Sequence, residues 1–383
     1  MQCLRCGNTD PEYFYKGSKG YYCRRCIRFK RILIEEIISP KNYEVSEGAS
    51  EYALAYELTK DQKHASQELL KELLLGHDVL LKCVCGAGKT EITVLSIAEF
   101  LRNKKKVIYA ISRREVVIEL AKRFKDIFKN AKVATICEGY NESDGDLIVC
   151  TTHQLYRFNN LIDLLILDEV DAYPFKGEQV LMNIASNSLK EHGVIVYSTA
   201  TVDQTLELFM QKRGYVTVSL NKRPHGYPLV EPKVIYAPKI LLYGIAIYKA
   251  LKTKAPLIIF VETKNEAKRL GKTINHFIKT TYVYSDLKER NESIKAFKDG
   301  DYQVIVATSV LERGVTIKGV DVVILNLVHG IFDEASLVQM SGRVGRTFDC
   351  PTGHVWILSN GYKKEIRHAL KTIITANKMS ILR

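Results

Sequence analysis

The chain has no run of eighteen apolar residues, so no stretch reads as a transmembrane helix. Its first residues, Met1-Gln2-Cys3-Leu4-Arg5-Cys6, lack the apolar core of a secretion signal. Both absences point to the cytosol, with peripheral attachment at the inner face of the membrane through a partner left open. Acid is also scarce: 43 Asp and Glu stand against 56 Lys and Arg, a net charge of +13. The shortage is sharpest between Tyr13 and Ile34, a segment that holds no acidic residue. Such a surplus fits a polyanion, nucleic acid first, and fits equally a solvated basic surface. With 383 residues and a 46% hydrophobic fraction, the chain can build two or three cored domains.

The nine cysteines are unevenly spread. Cys3-x-x-Cys6 and Cys23-x-x-Cys26 are separated by sixteen residues. Each pair can turn two thiolates toward one ion, and two pairs complete a tetrahedral Zn²⁺ site with no open position. That makes a structural site; two disulfides are the other reading, which a reduced compartment disfavours. Around these cysteines Lys16, Lys19, Arg24, Arg25, Arg28, Lys30 and Arg31 alternate with Tyr21, Tyr22 and Phe29. Cations beside rings suit the phosphates and bases of a single strand. Alternatively the rings pack round the metal and the charges face water. Ser39-Pro40-Lys41-Asn42 breaks an Ile-rich helix and opens a linker that runs to Ala53.

Val79-Leu80-Leu81 reads as a buried strand, and Ile92 to Leu101 as a packed helix. Between them lies Cys83-Val84-Cys85-Gly86-Ala87-Gly88-Lys89-Thr90. Strand, glycine loop and helix form the context of a phosphate-binding loop. Backbone N–H groups of Gly86, Ala87 and Gly88 cradle the anion, the helix N-terminus adds positive potential, Lys89 reaches the outer phosphates, and Thr90 can ligate Mg²⁺. The pattern's first glycine position is Cys83 here. Cys83 and Cys85, near that N-terminus, are candidates for a depressed thiol pKa; buried inert thiols are the competing reading. Upstream, Thr59 is a plausible N-cap with Gln62 in the first turn, where an amide offers a donor and an acceptor to adenine.

Further strands are expected at Val107 to Ile111, Val133 to Ile136, Leu147 to Cys150, Leu164 to Leu167, Val194 to Tyr197 and Tyr215 to Leu220. Ligands of open parallel sheets gather at strand carboxyl ends. Arg113, Thr151 and Thr152 occupy such ends and are candidate nucleic-acid contacts. Asp168-Glu169-Val170-Asp171 closes the Leu164 strand: Asp168 would hold Mg²⁺ and Glu169 would orient and deprotonate the attacking water. Ser198-Thr199-Ala200-Thr201 offers hydroxyls to that acidic cluster. A second βα series follows from Leu257, without a phosphate loop of its own. Thr308 and Arg313 lie after one of its strands, as further nucleic-acid candidates. Arg343 and Arg346 are three apart, a spacing that a helix puts on one face, and their forks suit the γ-phosphate.

The motif order, Gly-x-Gly-Lys-Thr, Asp-Glu-Val-Asp, Ser-Thr-Ala-Thr, Leu-Glu-Arg-Gly-Val-Thr, Gln-x-x-Gly-Arg-x-Gly-Arg, resembles superfamily 2 helicases and translocases. Five features narrow the match: the four-cysteine ribbon ahead of the motor, Cys85 to Glu91, Thr151-Thr152-His153-Gln154-Leu155, Asp168-Glu169-Val170-Asp171-Ala172-Tyr173-Pro174 and Leu311-Glu312-Arg313-Gly314-Val315-Thr316. Together they resemble the ComFA family of competence proteins. Ser112 stands where proline is common in that family, and Cys83 where alanine is common. The resemblance implies an α/β fold of two tandem RecA-like parallel-sheet domains behind a small zinc module. Its boundaries fall at 1–45 (module and linker helix), 46–222 and 223–383. It implies an ATPase, with ATP, Mg²⁺ and Zn²⁺, that draws single-stranded DNA into the cytosol during natural transformation. Implied partners are ComFC, DprA and the membrane DNA channel, with self-association left open. Other readings are a DNA helicase of replication restart or repair, an RNA helicase, and a zinc-dependent binding module with an inactive motor.

Overall fold

The computed structural model describes residues 1–34, 45–142, 144–314, 316–327 and 331–381. The expected helix break at Ser39–Asn42 lies outside them. The chain divides into two compact units, Met1–Cys83 with Gly88–Leu220, and Val84–Ala87 with Asn221–Arg383. Among the described residues no helix is long and apolar enough to cross a membrane.

The first unit opens with a hairpin, β1 (Phe14–Gly17) and β2 (Gly20–Cys23). Its main sheet holds β3 (Asp78–Cys83), β4 (Val107–Ile111), β5 (Val133–Cys137), β6 (Tyr140–Asn141), β7 (Leu147–Thr151), β8 (Ile162–Asp168), β9 (Leu189–Thr199) and β10 (Tyr215–Leu220). The strand order is β10-β3-β9-β8-β4-β7-β5-β6. All neighbours are parallel except β6, which turns back on β5. Parallel strands need crossovers, and helices α1 (Lys60–Leu74), α2 (Lys89–Arg102), α3 (Arg114–Ile127), α4 (Gln179–Ser188) and α5 (Gln204–Gln211) flank them. The strands are therefore buried on both faces, which explains runs such as Leu164-Leu165-Ile166-Leu167, all 0% exposed. β9 begins five residues before the expected Val194, at Leu189. Pairing of Leu189 with Ile162 on β8, past an irregularity, extends it through the polar Lys190-Glu191-His192.

The second unit has a six-stranded parallel sheet. Its strands are β11 (Lys233–Tyr236), β12 (Leu257–Phe260), β13 (Thr280–Val283), β14 (Val304–Ala307), β15 (Asp321–Asn326) and β16 (Val355–Ser359). Their order is β11-β16-β15-β12-β14-β13. Helices α6 (Lys239–Lys252), α7 (Lys264–Asn275), α8 (Arg290–Asp299), α9 (Glu334–Ser341) and α10 (Lys364–Ile381) complete it. Both units have the doubly wound parallel architecture of RecA-like domains.

The cysteine module is part of the first unit's core. Phe29 and Ile32 share a buried cluster with Leu155, Phe158, Leu181 and Ile184. Polar contacts fix the same seat: Asn183 Nδ2 donates to Cys6 O at 2.9 Å, Asn187 Nδ2 to Arg5 O at 3.1 Å, and Arg28 pairs with Glu178 at 2.6 Å.

Asp78, 4% exposed, ties three elements together. Its Oδ1 accepts from the Ile195 N–H at 2.9 Å and its Oδ2 from Arg213 Nε at 2.5 Å. Asp78→Ala should lower stability by about 2–3 kcal/mol, less than a fully buried pair because Arg213 reaches solvent. Urea unfolding checks this; a loss under about 0.5 kcal/mol would mean that the pair contributes little.

Candidate nucleotide site and metal centre

β3 ends at Cys83 and the chain reverses into α2 through Val84–Gly88. Gly86 (φ 82°) and Gly88 (φ 85°) both adopt left-handed backbone, which favours glycine. Gly88 occupies the N-cap of α2, directly before Lys89 and Thr90. Space is a second constraint: a Cβ on Gly88 would lie 2.5 Å from Gln62 Nε2 and 3.3 Å from Glu91 Oε2. Gln62 is held there by a capping box. The Thr59 N–H donates to Gln62 Oε1 at 3.0 Å, and the Gln62 N–H to Thr59 Oγ1 at 3.3 Å. Thr59 is thus the N-cap, and Gln62 sits in the first turn, buried against the loop.

Across from the loop, β8 delivers Asp168, 8% exposed. Its Oδ1 accepts from Ser198 Oγ at 2.7 Å and from the Glu169 N–H at 3.0 Å. Tyr109 on β4 donates its hydroxyl to Oδ2 at 2.9 Å. Burial, and then the charge of Asp168, push the Tyr109 pKa well up, so this hydroxyl stays a donor. Lys89 Nζ stands 3.6 Å from Asp168 Oδ1. Glu169 takes a left-handed φ of 56°, a strained turn immediately after the strand. Thr201 Oγ1 donates to Asp171 Oδ2 at 2.7 Å, so Ser198 and Thr201 do bond the acidic cluster as their spacing suggested. A lysine, a helix N-terminus and a carboxylate pinned by donors are the groups that a phosphate and a hard cation bound side by side require. Thr90 and Asp168 are the oxygen donors that fit Mg²⁺ there.

At Cys83 the depressed-pKa reading fails and the buried, inert reading holds. The side chain is 1% exposed, and burial pushes its pKa up to about 12. Cys85 is also buried.

The four module thiols converge. Their Sγ atoms all lie within 4.8 Å of one another, and two of the pairs, Cys3–Cys26 and Cys6–Cys23, are 3.7 Å apart. A disulfide needs about 2.05 Å. Four thiolates at about 2.3 Å from one tetrahedral ion stand about 3.8 Å apart, so the set fits Zn²⁺.

The remaining candidates lie at strand ends. Arg113 follows β4 as the half-buried N-cap residue of α3; Thr151 ends β7; Thr152, 2% exposed, opens a short 3-10 helix to Arg157. In the second unit Thr308 follows β14, half-buried, and Arg313 is 2% exposed with its Nε on Glu312 Oε1 at 3.2 Å. Arg343 and Arg346 do not share a helix face. Helix α9 ends at Ser341, and a turn with Gly345 at φ 68° carries both. Arg343 Nε donates to Glu312 O at 3.0 Å and Arg346 Nε to Gly342 O at 2.7 Å. Sequence reasoning passed over Arg223. Its guanidinium donates to Gly342 O, Val344 O and Gly345 O at 3.0, 2.8 and 2.6 Å, which sets the shape of the arginine turn. It passed over Tyr109 too, although a lone hydroxyl in an aliphatic strand was the available signal.

Two helicase family models match the chain. The DEAD/DEAH box helicase model matches residues 59–209, and the helicase conserved C-terminal domain model matches residues 239–348. Two solved structures share the fold. One is S. cerevisiae Dbp5 bound to RNA and ADP BeF3 (TM-score 0.63, 19% identity, 83% of this chain and 91% of that one). The other is Mycobacterium smegmatis helicase Lhr bound to ssDNA and AMP-PNP (TM-score 0.60, 13% identity, 84% and 50%). The chain is a superfamily 2 ATPase of helicase type. It is 33% identical to competence protein ComFA of Streptococcus pneumoniae over 98% of this chain and 90% of that protein. It is 29% identical to ComFA of Bacillus subtilis, over 99% and 86%. The chain belongs to the ComFA family.

Two outcomes are expected. Tyr109→Phe should cut ATP turnover about tenfold, within the range of a lost hydrogen bond to a charged group; unchanged turnover in a folded variant would remove Tyr109 from the network. Metal analysis should find one zinc per chain, lost in Cys6→Ser. Chelation should then lower the melting temperature of the whole first unit; an unmoved melting point would make the module thermodynamically separate.

Proposed function

We propose that this chain is an ATP-driven translocase that moves single-stranded DNA into the cytosol during natural transformation. One observation carries the reading: an intact phosphate loop, with Lys89 3.6 Å from Asp168, in a chain that matches competence proteins along 98% of its length. Gly86, Ala87, Gly88 and Lys89 bind the phosphates, and Gln62 contacts adenine. Thr90 and Asp168 hold Mg²⁺, which when bound neutralises phosphate charge. Glu169 orients the attacking water and takes its proton. Arg343 and Arg346 are assigned to the charge that develops on the γ-phosphate.

For DNA, support comes from the strand-end positions of Arg113, Thr151, Thr152, Thr308 and Arg313. The burial of Thr152 and Arg313 gives Arg113 the larger share. The module adds a second basic surface. Arg24 lies 4.3 Å over Tyr15, Arg31 4.5 Å over Tyr22 and Arg25 5.5 Å over Tyr13, with Tyr13, Tyr15 and Tyr21 exposed. Rings and cations so arranged suit stacked bases and their phosphates. ComFC, DprA and the membrane DNA channel are the proposed protein partners, with attachment to the inner membrane face through them.

ATPase turnover should rise several-fold with single-stranded DNA and less with duplex DNA or RNA. Lys89→Ala should abolish the stimulated rate. Normal hydrolysis by that variant would sink the mechanism, and stronger stimulation by RNA would favour an RNA helicase.

A further inference from the structure

Glu91 is unusual for a first-turn helix acid because it is buried, 3% exposed. Its carboxylate pairs with Arg123 on α3, whose Nη2 lies 3.4 Å from the Tyr56 hydroxyl. The other carboxylate oxygen, Oε2, approaches Gly88, where Gln62 Nε2 also converges. An amide donor and a carboxylate acceptor therefore meet beside the last glycine of the phosphate loop. Gln62 is fixed in this sense, because its Oε1 already accepts from the Thr59 N–H. Glu91, Arg123, Tyr56, Ala53, Leu54 and Ile127 line an adjoining cavity of about 300 Å³. That is enough for a small ligand.

Adenine presents an acceptor, N7, next to a donor, the N6 amino group; guanine presents two acceptors there, N7 and O6, as does hypoxanthine. Gln62 Nε2 can serve N7 in each of these bases, so it alone does not separate them. We propose that Glu91, held by Arg123, reads position 6 of the purine and makes this ATPase selective for a base with an amino group there. The assignment rests on the nucleotide reading above. A carboxylate accepts from N6–H and has no proton to share with O6. A 6-oxo purine therefore loses a hydrogen bond and gains a repulsion. The competing account gives Glu91 only a structural role, an acid at a helix N-terminus paired with arginine.

The first test needs no variant. Purified wild-type protein is assayed with ATP, ITP and the 6-unsubstituted purine ribonucleoside triphosphate. ATP should exceed ITP in kcat/KM by about 10–100-fold, the range of one hydrogen bond to a charged group. The unsubstituted purine should fall between them. Glu91→Gln presents an amide that can accept or donate, so the ATP to ITP ratio should shrink to within about threefold, through KM. A purely structural Glu91 would lower the melting temperature of that variant and leave the ratio untouched, which overturns the proposal. Equal turnover of ITP and ATP by the wild type also overturns it and leaves the nucleotide reading standing. Failure to hydrolyse any triphosphate would instead sink the nucleotide reading itself.

Discussion

A buried carboxylate is costly unless donors surround it, and Asp168 is placed where the sheet can supply them. In the order β3-β9-β8-β4, its strand lies between β9 and β4. Parallel register sets Asp168 against Ser198 on one side and Ile111 on the other. Ser198 therefore meets the carboxylate directly, and Tyr109 reaches it from two residues back along β4. The glycine loop follows β3, the next strand but one, which brings Lys89 to the same end. The site is a product of strand order: Asp168 ends β8, Ser198 and Tyr109 lie within the last three residues of the strands on either side, and Lys89 opens the helix after β3. Moving any of these four strands would scatter the donors.

That dependence accounts for what the sequence made legible. Fully buried strands announce themselves as aliphatic runs, so β4, β5 and β7 were readable nearly to the residue. Gly88-Lys89-Thr90 and Asp168-Glu169 were readable because few other reasons put those residues between such a run and a helix. The polar start of β9 was not readable, because Lys190, Glu191 and His192 are recruited by pairing with β8 rather than by their own propensity. The arginine pair illustrates a different gap. Three-residue spacing suggested a helix, but Gly342 ends α9 and Gly345 needs a left-handed turn, so backbone carbonyls and Arg223 shape that segment instead. Arg223 belongs to no pattern and Glu91 was legible only as the last residue of a motif; their partners are distant in sequence and appear only when the chain is folded. The raised Cys83 pKa has the same origin, since nearness to a helix N-terminus counts for little once the thiol is buried.

The four-cysteine ribbon was legible as a metal site from spacing alone, yet its relation to the rest was not. It could have been a tethered appendage. Instead Asn183, Asn187 and Glu178, all on or beside α4, hold it, and Phe29 enters the hydrophobic cluster next to the strand-end turn that carries Thr152. The basic, aromatic surface of the module is thereby fixed relative to one RecA-like domain.

The order of synthesis gives that seat a further meaning. The ribosome releases Cys3 through Cys26 long before it makes Gln179 through Ser188, the helix on which the ribbon rests. Without an ion, so short a peptide could not hold a shape while it waited. An ion held by Cys3, Cys6, Cys23 and Cys26 would give the ribbon its shape at that point, before the helix on which it rests exists.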